Sequence, residues 1–438
     1  MEQHVASTGL ALALLVAAMG LYLMTRRKYM LPPGPKGLPI IGNTFNMPTN
    51  FEWLAYQKWS RDFNSDLIYL NLLGTPVVVL HSAKAAYELF EKRSAIYSDR
   101  MAGSIIMRIT YGIEVLPTED PYITTAEAAL QSLAAAVDFI PALKYLPDWF
   151  PGAGFKKEAA AWRNPTRAMA NVPFSEVQEA LSNGTAVPSI LSALLEKLDP
   201  NADNQRMEDR YRAAATTAYT GGSDTTVSSL GTFILAMMLY PTVQKRAREE
   251  LDRVIGSDRL PSFEDELELP YVSAVVKEAF RWRTVLPLAV PHRLTVDDEY
   301  MGYDLPAGTL VVGNTWAILH DETRYPQSDE FDPCRYLTAD GKLNPAAPDP
   351  ITEAAFGYGR RICPGRHLAV ASVWLTVASI LATFDIEKPT DEHGQPIEPS
   401  GAYTSGTISY PLPFKCVFKV RSADAESLVR FAAQESVE

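Results

Sequence analysis

One cysteine in the run Phe356-Gly357-Tyr358-Gly359-Arg360-Arg361-Ile362-Cys363-Pro364-Gly365 constrains this chain more than any other feature. Pro-Gly follows it, and then an apolar run from Leu368 to Leu381. Proline at a first helical position predicts a helix start there, with Cys363 near the N-cap. Orphan amide hydrogens and the positive end of the helix dipole then favour a thiolate over a thiol. Gly357 and Gly359 allow a tight turn and a close backbone approach to a flat ligand. Arg361, two residues before the cysteine, is placed to pair with acidic groups on that ligand. The plainer alternative is a buried free cysteine in a loop.

Charge and cysteine usage exclude several classes. The formal net charge of −12 argues against nucleic acid as the main partner. The three cysteines, Cys334, Cys363 and Cys416, form no CxxC pair, so neither a disulfide framework nor a zinc site is predicted. A reducing compartment follows. With 47% hydrophobic and 21% charged residues the chain has globular composition, and 438 residues suffice for one large domain.

From Val5 to Thr25 no residue is charged, which is long enough for a helix to cross a bilayer. Arg26, Arg27 and Lys28 follow at once, so the bulk of the chain is expected on the cytosolic side. A cleavable signal would carry its positive charges before the apolar run. Residues 1–29 therefore read as a single-pass anchor with its basic flank, in the endoplasmic reticulum membrane, and residues 30–438 as the catalytic domain. The prolines of Leu31-Pro32-Pro33-Gly34-Pro35 make a stiff hinge between the two. On that topology the sequon Asn183-Gly184-Thr185 faces the cytosol and carries no sugar.

Along the globular part, helices are predicted over Phe51–Phe63, Ala83–Glu91, Ala159–Ala170, Val187–Leu198, Arg210–Tyr240, Thr242–Gly256 and Pro270–Trp282. Strands are predicted over Leu67–Leu73 and Pro76–Leu80, with a strand-like run over Val285–Val290. Within the longest helix, Gly221-Gly222-Ser223-Asp224-Thr225-Thr226 is poor helix material and predicts a local opening. Asp224 and Thr225 form an acid–alcohol pair suited to proton relay. The alternative is a threonine bonded back to its own helix. Glu278 and Arg281 share a helix face at i, i+3, and Arg335 comes later in Phe331-Asp332-Pro333-Cys334-Arg335-Tyr336.

The run from Phe356 to Gly365 resembles the haem-binding signature of the cytochrome P-450 family. Gly221–Thr226 resembles that family's oxygen-activation motif, and Glu278, Arg281 and Arg335 its buried Glu-Arg-Arg network. The resemblance implies a fold that is mainly α with a smaller β region. It implies haem with Cys363 as axial thiolate and metal ligand, contacted by Phe356, Gly357, Arg361, Gly365, His292 and Arg100. It implies Gly222, Asp224 and Thr225 at the oxygen site, and it makes Tyr403-Thr404-Ser405-Gly406-Thr407 similar to the last substrate-contacting turn. The activity implied is monooxygenation of a lipophilic small molecule, a secondary metabolite or xenobiotic, as in fungal microsomal members. Electrons would come from an NADPH–cytochrome reductase, with cytochrome b5 as a second donor, since no nucleotide-binding Gly-rich unit is present. The proline- and aromatic-rich stretch 121–154 fits a lid over the distal pocket.

After Tyr97-Ser98-Asp99-Arg100 the resemblance breaks. The segment between the second and fifth helices is missing, roughly 60–70 residues by comparison with an ordinary member. That leaves a second reading of the chain, a haem-poor remnant or mis-spliced product without activity.

Overall fold

A computed structural model of the chain describes residues 29–92 other than 39, 40 and 49, then 110, 111, 147, 149 and 155–435. The uncharged run 5–25, Arg100 with the break expected behind it, and all of 121–154 save Pro147 and Trp149 lie outside the described residues.

Helix α1 (Glu52–Asp62) buries Trp53 and Tyr56 and leads into strands β1 (Leu67–Leu72) and β2 (Thr75–Leu80). The hairpin turn falls on Leu73-Gly74, one residue earlier than the sequence suggests. Both residues have positive φ, 49° and 91°, the twist that a two-residue antiparallel connection requires and that glycine eases. Helix α2 (Ala83–Ala86) continues as a wider π turn through Lys92. Helix α3 (Phe155–Asn183) runs through both Pro165 and Pro173, well past the predicted end at Ala170. Burial of Met169, Phe174 and Val177 against Leu191, Ala215 and Tyr219 outweighs the donors those prolines remove. Helix α4 (Ile190–Leu195) is short and capped by Ser189.

Helix α5 (Gln205–Leu239) is the longest element and is continuous. The predicted opening at Gly221–Thr226 is not there. Two glycines cost about 1 kcal/mol each in a helix interior, whereas this helix packs against α3, α4, α6 (Pro241–Val254), α7 (Pro270–Trp282) and α9 (Arg366–Thr383). Several of its hydroxyls bond back to carbonyls one turn earlier, Thr216 to Arg212 and Thr220 to Thr216 at 2.7 Å each. At Tyr240 the axis turns through 104° into α6.

After α7 the predicted strand over Val285–Val290 is irregular. Pro287 cannot donate, and the segment is held by Trp316 N–H to the Pro287 carbonyl and Ala289 N–H to the Gly313 carbonyl, both 2.9 Å. Strand β3 (His292–Arg293) follows, then a hairpin of β4 (Asp298–Tyr300) and β5 (Tyr303–Leu305), then β6 (Leu310–Gly313) and helix α8 (Thr315–Leu319). The main sheet has the order β1-β2-β6-β3, with β2 and β6 parallel, Val77 opposite Leu310, and the other pairs antiparallel. Val77 through Leu80 are all buried, as expected of a central strand covered on both faces. The chain closes with β7 (Phe384–Glu387), β8 (Val417–Val420) and α10 (Ala423–Glu435).

The largest core cluster joins Phe233 and Met237 of α5, Val272, Val275 and Phe280 of α7, and Val373, Trp374 and Leu381 of α9. Among the described residues α9 is the one helix apolar and long enough to cross a bilayer, yet five of its side chains from Val373 to Leu381 are buried in this core. Trp374 Nε1–H is satisfied by Ser273 Oγ at 2.9 Å.

Candidate functional site

The cysteine loop is shaped by its own backbone. The Cys363 N–H donates to the Phe356 carbonyl at 2.8 Å, closing the run between them. Inside it, Arg361 N–H donates to the Tyr358 carbonyl and Ile362 N–H to that of Gly359, and at its start Gly357 N–H reaches back to the Ala354 carbonyl, all at 3.1–3.2 Å. Gly357 (φ 79°) and Gly359 (φ 56°) supply the left-handed backbone that such tight folding needs. A Cβ on Gly357 would meet no heavy atom nearer than the Arg361 carbonyl oxygen at 3.9 Å. Helix α9 begins at Arg366 with Gly365 as its N-cap, so Pro364 lies in a turn instead of at the first helical position. Cys363 is half-buried, in no disulfide, and its carbonyl accepts the Arg366 N–H at 3.3 Å. Residues Leu368 to Ser372 of the apolar α9 are likewise half-exposed.

Tyr358, which the sequence reading did not single out, anchors the loop from behind. Its ring stacks on Phe90 at 5.0 Å, its hydroxyl lies 3.3 Å from Thr315 Oγ1, and burial pushes its pKa upward. Its only signal in sequence is its place between two glycines. Phe356 packs on Phe280 of α7 at 5.2 Å. Arg361 is exposed at the end of the loop. His292 is buried in β3, its ring 4.3 Å from Phe90. A cleft of about 360 Å³ lies beside the loop, lined by Lys84, Tyr87, Arg324, Glu353, Gly357 and Ile362 among others, but not by Cys363.

Glu278, Arg281 and Arg335 come together. Arg281 donates from Nε and Nη2 to the two Glu278 oxygens at 2.8 and 2.9 Å, and Arg335 Nε reaches Oε1 at 3.1 Å. Two further donors complete the carboxylate: Asp332 N–H at 2.9 Å and Tyr336 O–H at 3.0 Å. Burial first, and then the Glu278 charge, hold the Tyr336 phenol protonated, with its pKa well above the ordinary range. Arg281 spends its remaining donors on the Leu319 and Glu330 carbonyls, tying α7 to α8 and to the loop before Arg335. Tyr336 directly follows Arg335, and that adjacency was the available signal.

On α5, Gly222 and Thr225 are half-buried, and the Thr225 hydroxyl donates to the Gly221 carbonyl at 2.6 Å. This is the back-bonded arrangement that the sequence reading held as the alternative. The Asp224 backbone is helical, and its side chain lies outside the described residues, as does Arg100. The turn Tyr403–Pro411 packs against the same helix: Ser228 Oγ donates to the Ser409 carbonyl at 2.6 Å, and Tyr403 O–H to Thr232 Oγ1 at 3.1 Å. Burial, opposed by that hydrogen bond, pushes the Tyr403 phenol up to about 12.

Residues 97–415 match the sequence model of the family described as Cytochrome P450. Similar proteins are fungal. Cytochrome P450 monooxygenase 98 of Postia placenta is 40% identical, over 94% of this chain and 95% of its own length. Tryptamine 4-monooxygenase of Psilocybe cyanescens is 37% identical over 95% and 98%, and Cytochrome P450 monooxygenase ple1 of Rhodocybe pseudopiperita 38% over 92% of each. The first alignment spans 496 positions against the 438 residues here, so at least 58 of its positions have no residue in this chain.

Proposed function

The chain belongs to the cytochrome P450 family, and on that premise we propose that it hydroxylates a lipophilic small molecule, an aromatic or terpenoid secondary metabolite or xenobiotic. The enzyme class is haem-thiolate monooxygenase, and haem is the family's cofactor. The residues present fit that group. A half-buried thiol outside any disulfide stands before an apolar helix whose first turns are partly open, and Gly357 leaves room for a flat ligand. When bound, haem supplies dioxygen activation, with the balance RH + O2 + 2 e⁻ + 2 H⁺ giving ROH + H2O.

The protein's part is assigned residue by residue. Cys363 is the proposed sulfur ligand, held in place by the hydrogen bond from its N–H to the Phe356 carbonyl. Phe356, Gly357 and Gly365 shape the floor, and Arg361, His292 and Arg100 are the groups proposed to meet the propionates. Thr225, whose own proton is engaged by the Gly221 carbonyl, offers Oγ1 lone pairs as an acceptor. To relay, that hydroxyl would turn from the carbonyl and pass on its own proton as it accepts one from Asp224, while Gly222 keeps the helix surface beside it bare. Glu278, Arg281 and Arg335 keep α7 and the chain before the cysteine loop in register.

Electrons are proposed to come from a membrane-bound NADPH–cytochrome reductase, with cytochrome b5 as a second donor. Residues 1–29 anchor the chain in the endoplasmic reticulum membrane on this reading, supported by the uncharged run 5–25 and the basic triplet behind it. The number of unmatched alignment positions agrees with the size of the segment proposed to be missing after Arg100. One relative is named for tryptamine, which keeps aromatic secondary metabolites within the proposed substrate class.

The observation that carries the reading is the closed Phe356–Cys363 loop with its thiol half-buried before α9. The test is the carbon monoxide difference spectrum of the reduced chain, expressed in membranes. A thiolate-type band that Cys363→Ser abolishes is expected, because a hydroxyl is a poor donor to haem iron. No band in the wild-type chain would instead identify a haem-poor remnant. Product analysis with a co-expressed reductase and a panel of aromatic and terpenoid compounds then identifies the substrate.

A further inference from the structure

Two π turns contribute to the wall of the cleft beside the cysteine loop. One is the extension of α2 over Tyr87–Lys92, and the other is the turn Ile351–Ala355 that leads into Phe356. Such turns are rare in proteins and recur at functional sites. At about 360 Å³ the cleft falls at the small end of the volumes that hold organic ligands, roughly 300–1,000 Å³. Of its lining residues only Gly357 is among those assigned to haem, and Cys363 does not line it.

Its charges are unevenly engaged. Glu353 has both oxygens taken, Oε1 by Arg324 Nη2 and Oε2 by the Tyr325 hydroxyl at 3.1 Å. Arg324 keeps Nε and Nη1 uncommitted among the described residues. Lys84, exposed on α2, makes no ion pair among them. One carboxylate against two cations leaves the cleft positive, so its complement is an anion. Ala83, Ala86 and Ile362 add an apolar wall, and Gly359 a bare one.

We infer that this cleft is a second ligand site that takes a small aromatic carboxylate, its acid group held by Lys84 and Arg324 and its ring laid against Ala83, Ala86 and Ile362. The site goes beyond the proposed function and does not rest on it, because no haem is needed to form the cleft. Gly357, Tyr358, Gly359 and Ile362 are four of the six positions between Phe356 and Cys363, so the cysteine loop is one wall of the site. A bound ligand spans α2 and the loop, and the loop cannot open without releasing it. Binding therefore holds the Cys363 N–H on the Phe356 carbonyl.

The test uses the full chain in nanodiscs, empty nanodiscs as the blank, and 2-naphthoate as the probe with neutral 2-naphthamide as its isostere. Naphthoate is expected to bind saturably with a Kd below about 1 mM. Lys84→Gln should weaken it about fivefold, the scale of an ion pair at a partly open site, and leave naphthamide unchanged. Hydrogen exchange locates the ligand. At about ten times its Kd, naphthoate should slow exchange at the Ile362 and Cys363 amides about tenfold. Thr352→Trp, at an exposed position on the rim, should fill the cleft and abolish that protection. Naphthoate affinity that neither variant changes means binding elsewhere and overturns the inference. So does naphthamide that protects the loop as strongly as the acid, or an absence of saturable binding. The carbon monoxide band decides the haem reading separately, since neither variant alters a residue assigned to haem.

Discussion

Arg281 grips Glu278 through two hydrogen bonds, Nε to Oε2 at 2.8 Å and Nη2 to Oε1 at 2.9 Å, with both side chains wholly buried. A carboxylate so placed is stable only while its donors remain. Glu278→Ala strips Arg281 of its counter-charge, and Arg281→Ala strips Glu278. Either variant should lose on the order of 3–5 kcal/mol of stability, measured as a lower Tm and less haem retained per mole of protein. Tyr336→Phe removes one donor of several and should cost about 1–3 kcal/mol.

Gly313→Ala probes the support of the cysteine loop from behind. Its Cβ would lie 2.6 Å from Tyr358 Cε2, so the ring has to leave its stack on Phe90 or the loop has to shift. Overpacking of this kind costs about 1–3 kcal/mol. A reduced fraction of thiolate-type band in the carbon monoxide spectrum, with Cys363 intact, is the expected readout.

Thr225→Ala should leave haem bound but waste reducing equivalents, because the proton acceptor at Oγ1 is gone. Oxygen consumed per product formed should rise, while Thr225→Ser, which keeps the hydroxyl, stays close to wild type. Measured coupling that does not change in the alanine variant would remove the relay role.

Acid should destabilise the fold through two histidines. Burial lowers the His81 pKa from 6.5 to about 3; burial, with the Arg281 and Arg283 charges, does the same for His320. Both imidazoles are neutral in the folded state at pH values where the unfolded chain is already protonated. The unfolded state binds more protons below about pH 6.5, so stability is complete above that value and falls as pH drops toward 3, by up to about 1.4 kcal/mol per pH unit for each histidine. Denaturant midpoints between pH 7 and pH 5 should show the slope, and His320→Gln should flatten it.

Helix α7 was legible to the residue, Pro270–Trp282, because proline opens it and an apolar period runs through it. The hairpin and α5 were legible within a few residues for similar reasons. Where local rules and burial conflict, burial prevailed: α3 passes through two prolines, and α5 stays closed over Gly221-Gly222. The strand expected at Val285–Val290 failed because Pro287 cannot join a ladder. At the site, the cysteine loop and the Glu278–Arg281 pair could be read from spacing. Tyr336, Tyr358 and the hold of Ser228 and Thr232 on the Tyr403–Pro411 turn could not, since each depends on a partner distant in the chain.

The parallel pairing of Val77–Leu80 with Leu310–Gly313 places a demand on biosynthesis. The β1–β2 hairpin leaves the ribosome more than 230 residues before the strand that covers its inner edge. At about 5–20 residues per second that is a delay on the order of 10–50 s. Throughout it an apolar strand with unpaired amides is open to wrong partners. Yield of folded chain should therefore depend on chaperones that shield nascent strands and on the pace of translation.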